Sequence, residues 1–252
     1  MNRFHIIIPT YNSERFIARC LQSAVSQDYS NYQVILVDDC STDHTLEIAD
    51  KYPINIIHNI VHSGSAVANL KKAVTEIKSP DDIIVCLDGD DYLYDNKVLS
   101  HLDSVYHPDV WLTYGQNISL SGKLDRISMP LTDIHTWKWG GSRTISLHTW
   151  EYRTYGLWHT SHLRTFRKGL FDRVKDEDLR YSDGEYFRTC CDVCAMYPMI
   201  EMAGDKHIFY VDKILYVYND VSGYGTRAEE NMQNMKYIQS KPCYEEIIDY
   251  RG

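Results

Sequence analysis

Ile83-Ile84-Val85-Cys86-Leu87-Asp88-Gly89-Asp90-Asp91 is the stretch that decides the fold. A continuous apolar run of this length reads as a strand buried on both faces, the kind that belongs in a parallel sheet. It stops abruptly at three carboxylates and a glycine. Carboxylates this close repel one another, so a fold tolerates them where something positive sits between them. A hard divalent cation shared with phosphate oxygens meets that need. Gly89 permits a tight turn and leaves room for a ligand. The competing explanation is a solvated turn capping a helix near Asn96.

Working outward, similar apolar runs occur at 4–8, 34–37 and 54–57, and helical patterns separate them. A helix is expected from Ser13, with Phe16, Ile17, Cys20, Leu21, Ala24 and Val25 at helical spacing. Ser41 is expected to cap a second helix, with Leu46 and Ala49 facing inward. Ala66, Val67, Leu70, Ala73, Val74 and Ile77 form a third stripe. Strands alternating with helices give an α/β fold, a doubly wound, mostly parallel sheet flanked by helices. Ligands of such sheets sit at the carboxyl ends of the strands. That rule gathers residues 9–12, Asp38-Asp39 and Asp88 to Asp91 on one rim.

After a further run at 110–114 the rhythm changes. Residues 117–136 are polar and turn-rich, and 137–166 are dense in Trp, Tyr, His and Arg. A helix is expected at 188–203, strands at 207–211 and 214–218, and a polar, partly helical tail at 228–252. No repeat, low-complexity tract or linker divides the chain, so one domain is expected.

The 252 residues carry 44% hydrophobic side chains and a formal net charge of -9, a globular composition without the overall basic charge of a nucleic-acid binder. No run reaches the roughly 20 apolar residues of a membrane span. A soluble, cytoplasmic protein is expected, with docking on a membrane surface left open. The 7 Cys are an odd number and fit reduced thiols. Cys190, Cys191 and Cys194 lack the second Cys or His pair of a structural zinc site, and buried thiols on a helix explain them better.

Two more segments lie at strand ends. In Val37-Asp38-Asp39-Cys40-Ser41-Thr42-Asp43, a carboxylate can accept the imide N–H of a uracil or cap a helix, and Asp43 suits the first helical turn. In Ile6-Ile7-Ile8-Pro9-Thr10-Tyr11-Asn12-Ser13-Glu14, Tyr11 can stack on a base. Taken in order, these two segments and Leu87-Asp88-Gly89-Asp90-Asp91 resemble the family 2 glycosyltransferases of the GT-A fold. The resemblance implies an inverting transferase that uses a nucleotide-sugar donor, UDP-linked by preference over GDP or dTDP. It implies that Thr10, Tyr11, Asp39 and, less directly, Glu14 hold the nucleoside. It also implies that Asp88 meets the ribose or diphosphate, and that Asp90 coordinates Mg²⁺ or Mn²⁺. Residues 1–115 then form the nucleotide-sugar donor half and 116–252 the acceptor and catalytic-base half.

Many members carry an Arg on the helix after the third loop. Here that place reads His62-Ser63-Gly64-Ser65-Ala66-Val67-Ala68-Asn69, and the Arg is absent. Further on, the segment from Cys191-Asp192-Val193 to Gly204 resembles the helix bearing the family's catalytic base, which makes Asp192 the candidate. Asp183 and Glu185 are its rivals, and a helix cap or a partner for Arg188 is its plainer role. Trp158, His159, His162 and Arg164 lie where an acceptor or the leaving diphosphate would be gripped, although core packing and a surface ion pair account for them as well. Gly223 to Arg227 is a candidate lid or a plain surface loop. The aromatic second half leaves a homodimer open. The rival from another class is an inactive module that binds a glycan or a nucleotide. A nucleotidyltransferase fits poorly, because Pro9 to Asn12 replaces its Gly-rich phosphate loop. A dehydrogenase fits worse, because no G-x-G-x-x-G follows the first strand.

Overall fold

The computed structural model describes residues 1–122, 151–155, 160–221 and 228–252. The four apolar runs become β1 (Phe4–Thr10), β2 (Tyr32–Asp38), β3 (Asn55–His58) and β4 (Ile83–Cys86). They run parallel, with β1 between β2 and β4, and β3 outside β2. Four more strands complete one sheet: β5 (Tyr92–Leu93), β6 (Leu112–Ser119), β7 (Thr165–Arg167) and β8 (Ile208–Tyr218). The order is β3-β2-β1-β4-β7-β6-β8-β5, so three-residue β7 lies antiparallel between β4 and β6. The sheet is therefore mixed but mostly parallel. A division at 115/116 falls inside β6.

Alternation along β1 builds two cores. Ile6 and Ile8 face one side, with Leu36, Val85 and helices α1 (Ile17–Val25), α2 (Thr45–Ala49) and α4 (Val98–Val105). Ile7 faces the other, with Val37, Ile84, α3 (Ala66–Glu76), α6 (Lys168–Asp172), α7 (Cys191–Ala203) and α8 (Ala228–Ser240). Each fully buried aliphatic contributes about 1.5–3 kcal/mol. Behind α7, Arg153 on α5 (Glu151–Tyr155) pairs with Glu201, Nε to Oε1 at 2.6 Å and Nη2 to Oε2 at 2.8 Å.

Several boundaries differ from the sequence expectation. Helix α1 starts at Ile17, because the Ser13 carbonyl takes the N–H groups of Phe16 and Ile17. Ser41 does not cap α2. Its hydroxyl accepts from the Asn12 N–H at 2.9 Å, and Asp43 receives the Thr45 N–H at 3.0 Å instead. Thr45 and Ala49 are the buried residues of α2. The stripe of α3 holds except for Ala66, which is exposed. The two late strands are one, β8, which keeps pairing with β6 across an irregularity near Gly115 and Gln116.

Candidate active site

Parallel register sets the rim. Thr10 lies beside Asp38, and the Asp39 N–H donates to the Thr10 carbonyl at 2.9 Å. Asp39 is buried, and its carboxylate accepts four hydrogen bonds: Asn59 Nδ2 at 2.8 Å, Ser63 N at 2.9 Å, Ser63 Oγ at 3.0 Å and Gly64 N at 2.8 Å. Burial disfavours its charge, but these donors outweigh it and hold the pKa below the usual carboxylate value. Gly64 sits at φ +66, a left-handed conformation that glycine adopts without strain. Tyr11, half-exposed, packs on His62 with ring centroids 4.0 Å apart. Glu14 accepts the His44 N–H at 3.1 Å and meets its ring Nδ1 at 2.9 Å, which ties the β1 and β2 loops together. The buried hydroxyl of Thr10 has no hydrogen-bond partner among the described residues.

The acidic loop after β4 is organised from the second half of the chain. The Asp88 N–H donates to the Tyr216 hydroxyl at 3.2 Å, and that hydroxyl donates to Asp91 at 2.5 Å. The Asn219 N–H donates to Asp91 at 2.6 Å, and its side chain to the Asp90 carbonyl at 3.2 Å. Asp91 is 1% exposed, and burial together with the charges of Asp88 and Asp90 pushes its pKa up to about 8. His162 stacks on Tyr216 at 4.5 Å and approaches Asp88 at 3.5 Å. Asp88, Asp91 and His162 each offer a ligand atom within 4.8 Å of the others.

Arg164 joins this cluster to α7. Its Nη1 lies 2.6 Å from the Asp192 carboxylate, its Nη2 donates to His162 Nε2 at 2.7 Å, and Asp88 is 3.9 Å away. Burial and the Arg164 charge lower the His162 pKa, which favours a neutral imidazole beside a charged guanidinium. Burial opposes the charge on Asp88, but His162 and Arg164 hold its pKa below the usual range. Asp192 lies in the first turn of α7, where its other oxygen accepts the Val193 N–H at 2.9 Å. Its partner is thus Arg164 and not Arg188. A cavity of about 340 Å³ opens among these groups. Asp88, His162, Arg164, Arg188 and Asp192 line it, over an apolar floor that includes Val67, Leu70, Phe166 and Met199.

The structure brings Asp88, Arg164 and Asp192 to one cavity, and Thr10, Tyr11 and Asp39 to the adjoining rim. Asp90 is half-buried on the same loop but stands outside the group of three possible ligands. Asp183 and Glu185 are exposed and do not line the cavity. Trp158, His159 and the segment from Gly223 to Arg227 lie outside the described residues. Tyr216 is a member of the site that the sequence did not single out, and Asp91, read only as part of the acidic run after β4, had no role of its own. Cys190 and Cys191 line the cavity as free thiols with pKa values pushed up to about 11, burial being the main cause. Among the described residues no cysteine belongs to a metal-competent cluster, and no helix is long and apolar enough to cross a membrane.

Comparison with known proteins bears on the family and the fold. The chain is 35% identical over 97 residues to the poly(ribitol-phosphate) beta-N-acetylglucosaminyltransferase TarS of Staphylococcus aureus, a match covering 37% of this chain and 17% of that protein. It is 31% identical over 128 residues to the poly(ribitol-phosphate) beta-glucosyltransferase of Bacillus spizizenii, covering 48% and 20%. The chain thus spans about a fifth of the length of these curated relatives. The structure of S. aureus TarS 1-349 in complex with UDP-GlcNAc superimposes with a TM-score of 0.61 at 21% identity, over 94% of this chain and 65% of that one. Glucosyl-3-phosphoglycerate synthase of Mycobacterium tuberculosis, in complex with Mn²⁺, UDP and glucosyl-3-phosphoglycerate, gives 0.60 at 12% identity, over 96% and 81%. These likenesses establish the GT-A architecture. The model of the Glycosyl transferase family 2 matches residues 5–177, well over half the chain. With that match and the fold in agreement, the chain belongs to glycosyl transferase family 2.

Proposed function

We propose that the protein transfers a sugar from a nucleoside-diphosphate donor to an acceptor hydroxyl with inversion at the anomeric carbon. The observation that carries this is that the rim carboxylate Asp88 and the helix carboxylate Asp192 line one cavity of about 340 Å³, a space of sugar size. Thr10, Tyr11 and the Asp39 loop then receive the nucleoside. Asp192 takes the proton from the acceptor hydroxyl, whose oxygen attacks the anomeric carbon opposite the nucleotide. That C–O bond forms as the bond to the donor phosphate oxygen breaks, and the diphosphate leaves. Arg164 holds Asp192 in place and keeps it paired while it is charged.

A divalent cation fits the residues present. Two carboxylates and an imidazole converge, and burial together with the charges of Asp88 and Asp90 raises the Asp91 pKa, so a cation bound beside Asp91 would find a carboxyl ready to give up its proton. Asp88, Asp91 and His162 would hold the ion, with Asp90 beside them. When bound, it would neutralise charge on the leaving diphosphate. The UDP named in the TarS and mycobacterial structures, and the Mn²⁺ of the latter, support UDP and Mn²⁺ here.

The test is nucleoside-diphosphate release from a panel of nucleotide sugars, with the first-formed anomer of the released sugar followed by NMR. An α-linked donor should yield the β-anomer, and Asp192→Asn should slow release about a hundredfold or more with folding intact. Retained configuration would refute inversion. Nucleotide binding without any release would favour the binding-module alternative.

A further inference from the structure

The cavity is lined by two arginines with different commitments. Arg164 is buried, and its guanidinium already faces Asp192, Asp88 and His162. Arg188, just ahead of α7, is exposed and tethered by its backbone N–H to the Tyr181 hydroxyl at 3.3 Å. Among the described residues its guanidinium makes no hydrogen bond or ion pair, while its stem runs past the loop that saturates Asp39. A Cβ built on Gly64 would lie 3.9 Å from both Cδ and Nε of Arg188. Residues 62–70, which cross this rim, include no Lys or Arg.

We propose that Arg188 binds the donor's diphosphate, reaching from the α7 side to the rim where the β3–α3 loop supplies no cation. This rests on the donor reading above and deepens it. The place is right, because the Arg188 stem lies beside Gly64 of the loop that holds Asp39 and the residue lines the same cavity as Asp88, the two ends of the span a diphosphate must cross. The chemistry is right as well. The charge of Arg164 is already met by two carboxylates, so its capacity for a new anion is spent. An exposed guanidinium with no ion-pair partner among the described residues loses little on meeting a diphosphate and gains charge-assisted, forked hydrogen bonds.

The experiment is calorimetric titration of the whole chain with UDP, UMP and GDP in the presence of Mn²⁺, for wild type, Arg188→Gln and Arg188→Lys. Arg188→Gln should weaken UDP binding about tenfold or more and narrow the preference for UDP over UMP, with Arg188→Lys in between. UDP affinity within twofold of wild type in Arg188→Gln overturns the proposal. So does an equal loss for UDP and UMP, which would put Arg188 on the nucleoside. Wild type that binds neither UDP nor GDP overturns the donor reading, and this inference with it. Because Arg188 is exposed, melting temperatures of the variants should match wild type.

Discussion

Arg164 Nη1 lies 2.6 Å from the Asp192 carboxylate, and the same guanidinium stands 3.9 Å from Asp88. One buried arginine therefore fixes the distance between the carboxylate at the end of β4 and the carboxylate that opens α7. Ordinary ion pairs on a surface contribute little, but this guanidinium is 6% exposed and also bonds His162.

Arg164→Gln should remove that bridge. With both acids partly exposed, a loss of about 2 kcal/mol is expected, or about 4–8 °C in melting temperature for a domain of this size. Turnover should fall more than KM rises, because the base loses its placement while the nucleoside rim is untouched. Calorimetry and steady-state kinetics check the two effects separately.

Asp39→Asn should destabilise the protein by about 2 kcal/mol, since an amide NH₂ would face donors from Asn59, Ser63 and Gly64. The pH dependence follows from the depressed folded pKa. Asp39 contributes stability above its unfolded value near 4, and that contribution is lost as pH falls through the folded value. Melting curves between about pH 5 and 3 should therefore fall less steeply in Asp39→Asn than in wild type.

For the metal, His162→Ala and Asp91→Asn should each weaken Mn²⁺ binding about tenfold or more. Asp90→Asn separates the sequence-based assignment from the observed cluster. A larger loss there would return Asp90 to the role of principal ligand. The raised Asp91 pKa works in the opposite sense to that of Asp39. Its contribution to metal-free stability is full below about pH 4 and is lost as pH rises through about 8. Mn²⁺ replaces that proton, so its affinity should rise across the same window. Fluorescence-detected Mn²⁺ titrations at pH 6, 7 and 8.5 measure this.

Gly89→Ala should disturb the rim even though the substitution is small. Its Cβ would lie 2.6 Å from Thr10 Oγ1 and 3.2 Å from the Pro9 carbonyl. Relieving this contact moves either β1 or the acidic loop, at a cost of about 1–3 kcal/mol. Nucleotide affinity should fall with it, as titration of the purified variant would record.

The sequence makes the first half legible because β1, β2 and β4 are almost wholly apolar and buried, while the edge strand β3 keeps its isoleucines half-buried with Asn55 exposed. Acids placed straight after such strands could not be buried without a task. The second half yields less to local reading. β7 is three residues long, and its place in mid-sheet comes from pairing with Ile83–Val85, about eighty positions away. The Arg164–Asp192 pair and the Tyr216–Asp91 bond likewise join distant segments, and neither leaves a local pattern. His162 offers the same lesson, since only the stacked Tyr216 reveals why it points at Asp88. Ser41 shows a local rule overruled. Its hydroxyl had a nearer claim from the Asn12 N–H, so the helix began without it.

A nucleotide-sugar site at the carboxyl ends of β1, β2 and β4 should show itself in thermal unfolding. The protein would be melted with UDP, GDP, dTDP and their sugar conjugates, each with Mn²⁺, Mg²⁺ or a chelator. A ligand that binds only the folded state raises the midpoint by mass action. One nucleoside diphosphate should raise it by several degrees with Mn²⁺, with most of the gain lost in chelator and in Asp88→Asn. No shift with any nucleotide, in any metal, would contradict a donor site here and leave the carboxylate rim a structural feature.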